Sequence, residues 1–66
     1  MKLSVNGDIR ECDPGQSVRD LLIALGLDKP GVAVEVNRTL IPRKAHETTT
    51  LGEGDRVEIV TLVGGG

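Results

Sequence analysis

Only one stretch of this chain carries a helical apolar stripe. Val18, Leu21, Leu22 and Leu25 recur at spacings of three and four, with Arg19 and Asp20 on the wet side. The other apolar segments alternate with polar residues at period two, the mark of half-buried strands. A single stripe covers one face of one sheet. The chain is thereby constrained to an α+β fold, a mixed sheet of four to five strands with one helix packed on one face.

The punctuation fits that plan. Leu3 and Val5 alternate with Lys2, Ser4 and Asn6 as a first strand. Asn6-Gly7 suits the two positive-φ positions of a type I′ hairpin turn. Asp8 to Cys12 then returns as a second strand, with Ile9 its clearest apolar residue, and Asp13-Pro14-Gly15 breaks it. Ser17 can cap the helix, with Asp20 as an acidic capping-box partner three residues on. Gly26 supplies the left-handed end, so the spacing predicts a helix over Val18 to Leu25. Beyond Pro30-Gly31, Val32, Val34 and Val36 alternate with Ala33, Glu35 and Asn37 as a third strand. Asn37-Arg38 turns the chain into a short strand, Thr39-Leu40-Ile41, which Pro42 ends.

Arg43 to Glu47 reads as a single loose turn, Thr48-Thr49-Thr50 as irregular, and Gly52-Glu53-Gly54-Asp55 as a loop. The final strand is expected over Arg56 to Val63. Val57 and Ile59 take one face; Glu58, Val60 and Leu62 take the other. The first and last strands are expected to lie centrally, side by side. This organisation gives one domain over residues 1–63 and a flexible glycine tail over 64–66.

Size and composition remove several function classes. A 66-residue chain buries only about 60 % of the surface its unfolded form exposes, which leaves no room for a core and a large pocket together. A self-sufficient enzyme is therefore not expected. The chain has no Phe, Tyr or Trp, so its core is built from Leu, Ile, Val and Ala, and bases find no stacking platform. A formal net charge of −2 gives no basic footprint either, so no nucleic-acid partner is expected. No apolar run approaches membrane-spanning length, and the N-terminus lacks a secretory pattern, so no membrane partner is expected. Cys12 is the single cysteine, so no internal disulfide can form, as suits a reducing compartment. A soluble, cytoplasmic chain is the expectation.

The end of the chain reads Val63-Gly64-Gly65-Gly66. Without Cβ atoms, Gly64 and Gly65 make a thin segment able to thread a narrow channel of a partner. The carboxylate of Gly66 is the one group displayed for chemistry. A frayed terminus looks the same, so the rest of the chain has to decide.

Over its whole length the chain resembles the small β-grasp sulfur carriers of the ThiS/MoaD type, relatives of ubiquitin. The resemblance rests on the order of five pieces: the strand ending in Asn6-Gly7, the helix Ser17-Val18-Arg19-Asp20-Leu21-Leu22, the segment Val36-Asn37-Arg38-Thr39-Leu40-Ile41-Pro42-Arg43, the run Gly54-Asp55-Arg56-Val57-Glu58-Ile59, and the glycine end. Relatives are described by a terminal glycine pair, and three glycines stand here. The resemblance implies a carrier, not an enzyme. By that resemblance, a ubiquitin-activating-type adenylyltransferase, ThiF-like, is expected to adenylate Gly66 with ATP and magnesium. Sulfur from a cysteine desulfurase would then replace AMP to leave a thiocarboxylate, and a ThiG-like thiazole synthase would take that sulfur for thiamine. The same resemblance leaves open a carrier for molybdopterin or tRNA thiolation, and a ubiquitin-like protein modifier.

The residues themselves support a carried substrate. No glycine-rich nucleotide loop is present, so the chain is expected to bind no cofactor and ATP must sit on the partner. Val60, Leu62 and Val63 lie on or beside the face turned from the helix and are read as a docking patch. Cys12 has no Lys, Arg or His as a sequence neighbour to activate it and reads as a small apolar residue at a strand end. His46 lacks the paired ligands that a zinc site needs. Arg43-Lys44 reads as a solvated loop, and Asp8, Glu11 and Asp13 as a solvated strand and turn.

Overall fold

The computed structural model of the protein describes residues 1–62. Within them the elements run β1 (Lys2–Val5), β2 (Asp8–Glu11), α1 (Val18–Ala24), β3 (Val32–Val36), β4 (Thr39–Ile41), a 3₁₀ turn (Arg43–Ala45) and β5 (Arg56–Thr61). The strands form one sheet in the order β2-β1-β5-β3-β4. β1 and β5 are adjacent and parallel, and the other three pairings are antiparallel. The first and last strands therefore do lie side by side, with β5 at the centre. No helix among the described residues is long and apolar enough to cross a membrane.

Both hairpins turn as type I′ sequences should. Asn6 and Gly7 take φ of 50° and 87° between the paired Val5 and Asp8. Asn37 and Arg38 take 51° and 69° between Val36 and Thr39. Asn tolerates the left-handed region, whereas Arg38 pays a steric penalty there because its Cβ crowds the following carbonyl.

The helix is capped at both ends. Ser17 Oγ accepts from Asp20 N at 3.1 Å, and Asp20 Oδ2 accepts from Ser17 N at 3.0 Å, the reciprocal capping box. The next free donors of the first turn are met from outside the helix: Val18 N–H by the Thr49 carbonyl and Arg19 N–H by the His46 carbonyl, both at 2.9 Å. The segment expected to be irregular, Thr48-Thr49-Thr50, thus completes the helix start, and Thr50 also bridges Ser17. At the far end, Leu25 is the cap residue. Gly26 N–H bonds Ile23 O, and Leu27 N–H bonds Leu22 O at 2.8 Å, a Schellman closure around the left-handed Gly26. This closure ends the helix at Ala24, one residue before the expected limit.

Val18, Leu21 and Leu22 of α1 are sealed against Leu3, Val34, Val57 and Ile59 of the sheet. Burying each such side chain contributes about 1.5–3 kcal/mol, which must replace the aromatic packing this chain lacks. Leu51, from the long connection before β5, joins the same core. His46 is the one buried polar residue of the described chain, and its Nε2 lies 3.0 Å from the Ile41 carbonyl.

Candidate functional site

The candidate site is the last strand and what it delivers. β5 is held along both edges. On one side it pairs with β3 through five residue pairs, from Val36↔Val57 to Val32↔Thr61. On the other, β1 reaches only to Val5↔Val57, and there the side chain of Asn6 takes over. Asn6 Oδ1 accepts from Ile59 N–H at 2.7 Å, and Asn6 Nδ2 donates to the Ile59 carbonyl at 3.1 Å. The amide thus imitates the next residue of a β1 ladder. Asn37, the corresponding residue of the second hairpin, clamps the start of β5. Its N–H donates to Arg56 O at 2.8 Å, its Oδ1 accepts from Arg56 N–H at 3.0 Å, and its Nδ2 donates to Asp55 Oδ1 at 3.0 Å. The residue type favoured by the turn is also the one that can hold the central strand.

The strand assignment ends at Thr61, short of the expected Val63. The cause lies in the neighbour. β3 begins at Val32, and Gly31 before it has φ of 84°, outside extended geometry. One further bond, Leu62 N–H to Gly31 O at 2.6 Å, carries the pairing to the last described residue. A Cβ at Gly31 would stand 3.5 Å from the Leu62 carbonyl and would need a left-handed backbone as well. β2 likewise stops at Glu11 instead of Cys12, although Cys12 N–H still bonds Met1 O.

The two faces of β5 separate as expected. Val57 and Ile59 are buried under α1, while Val60 and Leu62 are 56 % and 66 % exposed. Val60 sits opposite Ala33 on β3. The other expected site residues, Val63, Gly64, Gly65 and Gly66, lie outside the described residues. The sequence reading passed over Leu40, 63 % exposed, and the pair Glu35↔Glu58. Alternation put Glu58 on the open face, but only the strand order brings Glu35 and Leu40 beside it.

The remaining candidates stay apart from β5. Cys12 is half-buried, its Sγ 3.9 Å from Arg10 O. Arg43, Lys44 and His46 line an open cleft of about 560 Å³ with Arg19, Asp28 and Glu47. Arg19 is already paired there with Asp28 at 3.3 Å and Glu47 at 3.8 Å. No group of three or more His, Cys, Asp or Glu among the described residues could hold a metal ion.

Comparison with known proteins places this arrangement. The ThiS family model matches residues 3–66. The chain belongs to the ThiS family. A ThiS thiamine biosynthesis protein from Geobacter metallireducens, solved by crystallography, superposes with a TM-score of 0.84 at 38 % identity, over 100 % of both chains. The fold is the ubiquitin-like β-grasp of that ThiS structure. The sulfur carrier protein ThiS of Escherichia coli is 27 % identical, again over 100 % of both chains. A thiazole synthase of Paramagnetospirillum magneticum is 39 % identical across all of this chain, which spans 20 % of the length of that relative.

Proposed function

We propose that the chain is a sulfur carrier of thiamine biosynthesis, acting as a co-substrate of partner enzymes and not as a catalyst. The observation that carries this reading is the family match itself, which spans residues 3–66 and so reaches the glycine end. The likeness to a thiazole synthase favours thiazole formation over molybdopterin or tRNA thiolation, and over protein conjugation.

The chemistry follows from the weakness of a carboxylate as an acyl donor, whose leaving group would be oxide. A Gly66 carboxylate oxygen attacks the α-phosphorus of ATP and pyrophosphate leaves. The resulting mixed anhydride carries AMP as a stable leaving group. The outer sulfur of a persulfide, supplied through a cysteine desulfurase, displaces AMP at the acyl carbon to give an acyl disulfide. A thiol then attacks the carrier-distal sulfur, forming a new disulfide and releasing the thiocarboxylate. Splitting one hard substitution into activation and transfer lowers each barrier. ATP, magnesium and the charges that stabilise phosphoryl transfer belong to a ThiF-like partner. A ThiG-like thiazole synthase then takes the sulfur. This chain contributes a rigid β5, with Val60, Leu62 and Val63 as the docking patch and Gly64-Gly65 as the segment that enters the partner.

Pyrophosphate release from ATP by the purified activating protein tests the proposal. It should require this chain and should vanish when Gly65 and Gly66 are removed. Pyrophosphate release that persists with the shortened chain would contradict the assignment.

A further inference from the structure

The two hairpins share one geometry and differ in chemistry at one position. Asn6-Gly7 and Asn37-Arg38 both fill a pair of left-handed turn positions. Both asparagines commit their side chains to the start or middle of β5, Asn6 to Ile59 and Asn37 to Asp55 and Arg56. An asparagine side chain is also an electrophile and among the labile groups of a protein. The main-chain nitrogen of the next residue can attack its Cγ and expel ammonia. A side chain on that next residue obstructs the attack, and glycine leaves it open. A Cβ at Gly7 would meet no heavy atom within 4 Å beyond its chain neighbours, so the approach is unobstructed by the fold. Among the described residues the Gly7 N–H is given to no backbone acceptor. Asn6 itself is exposed, so water reaches the same place.

One feature of the fold opposes the reaction. The Asn6 amide is held at both ends, by Ile59 N–H at 2.7 Å and by the Ile59 carbonyl at 3.1 Å. While both bonds last, Cγ cannot swing onto the Gly7 nitrogen. We propose that Asn6-Gly7 is a latent self-modification site, closed while the side chain grips β5, at which deamidation makes any release of that grip permanent. The Gly7 nitrogen forms a bond to Cγ, the bond from Cγ to Nδ2 breaks, and ammonia leaves with the proton that the Gly7 nitrogen loses. Water then opens the succinimide. Attack at Cγ gives aspartate, and attack at the main-chain carbonyl gives isoaspartate; neither step needs an oxidant or a reductant. In the aspartate product an acceptor oxygen replaces the Nδ2 donor that faced the Ile59 carbonyl, so one bond of the grip becomes a repulsion. In the isoaspartate product the backbone gains a methylene inside a two-residue turn whose register is Val5↔Asp8, and the side chain is displaced. The same chemistry gives Arg38 a purpose. Its left-handed strain at φ 69° is retained where a glycine would open Asn37 to attack.

The inference stands apart from the sulfur-carrier reading, since it concerns how long β5 stays held. Its test uses the full chain, folded or unfolded in guanidinium, in one mildly alkaline buffer. Peptide mapping with an isoaspartate assay follows Asn6 and Asn37 over time. Asn6 should convert at least about tenfold more slowly in the folded chain, the order of factor that two net hydrogen bonds supply. In the unfolded chain Asn6 should outpace Asn37, and Arg38→Gly should bring the two rates together. The deamidated chain, separated by its added negative charge and refolded, should show a lower urea midpoint and faster amide exchange at Ile59 than the intact chain. Equal rates at Asn6 in the folded and unfolded chain overturn the protective grip. A deamidated chain with an unchanged midpoint and unchanged exchange at Ile59 overturns the permanent release.

Discussion

Asn6 is where the turn and the tail-bearing strand meet, and its replacement separates two effects. Asn6→Gly keeps the positive φ of 50° at no steric cost but removes both hydrogen bonds to Ile59, at 2.7 and 3.1 Å. Each such bond contributes about 1 kcal/mol net, so the loss is about 2 kcal/mol. Asn6→Ala removes the same bonds and adds a left-handed Cβ, for about 1 kcal/mol more. A domain of this size shifts its melting point by about 4–8 °C per kcal/mol, so the glycine variant should melt on the order of 10 °C lower. With no aromatic residue to report by fluorescence, urea unfolding followed by far-UV circular dichroism is the suitable assay. Amide exchange at Ile59 and Leu62 should also quicken in Asn6→Gly. If that variant unfolds within about 0.5 kcal/mol of wild type, below the expected loss of even one bond, the clamp is not what holds this edge of β5.

Other outcomes follow from the same structure. Arg38→Gly should stabilise the fold by up to about 1 kcal/mol, because it relieves a left-handed residue at φ 69°, and a lower urea midpoint would refute the strain. Leu21→Ala, at a position 1 % exposed, should cost about 2–5 kcal/mol and remove most of the stability of so small a domain, read as a collapse of the thermal transition. Val60→Asp with Leu62→Asp should leave unfolding unchanged yet slow activation by the partner, and unchanged activation kinetics would reject the docking patch.

Much of this fold could be read locally. The alternation of Val32, Val34 and Val36, the Asn6-Gly7 turn and the Ser17–Asp20 capping box each depend on residues close in sequence, and each appears in the structure. What escaped depends on contacts across the chain. Asn6 is 53 residues from Ile59, so no local pattern announces that its side chain extends the β1 ladder. Leu51 and His46 lie in a connection without periodicity, yet one joins the core and the other is buried while lending its carbonyl to Arg19. The Glu35↔Glu58 pair shows only when β3 is set against β5. The end of β5 depends on its neighbour too: Gly31, just before β3, has a left-handed φ, so the regular pairing stops at Thr61. The glycines were legible as composition, and their meaning came from the resemblance.

The central claim is that the terminal acyl group is cargo, made reactive by another protein. The intact mass of the chain, after incubation with the activating protein, ATP, magnesium, a cysteine desulfurase with its substrate and a thiol reductant, addresses it directly. Replacement of one terminal oxygen by sulfur predicts a gain of about 16 Da, localised to the glycine end by fragmentation. A mass that stays unchanged while the partner turns over ATP would contradict it.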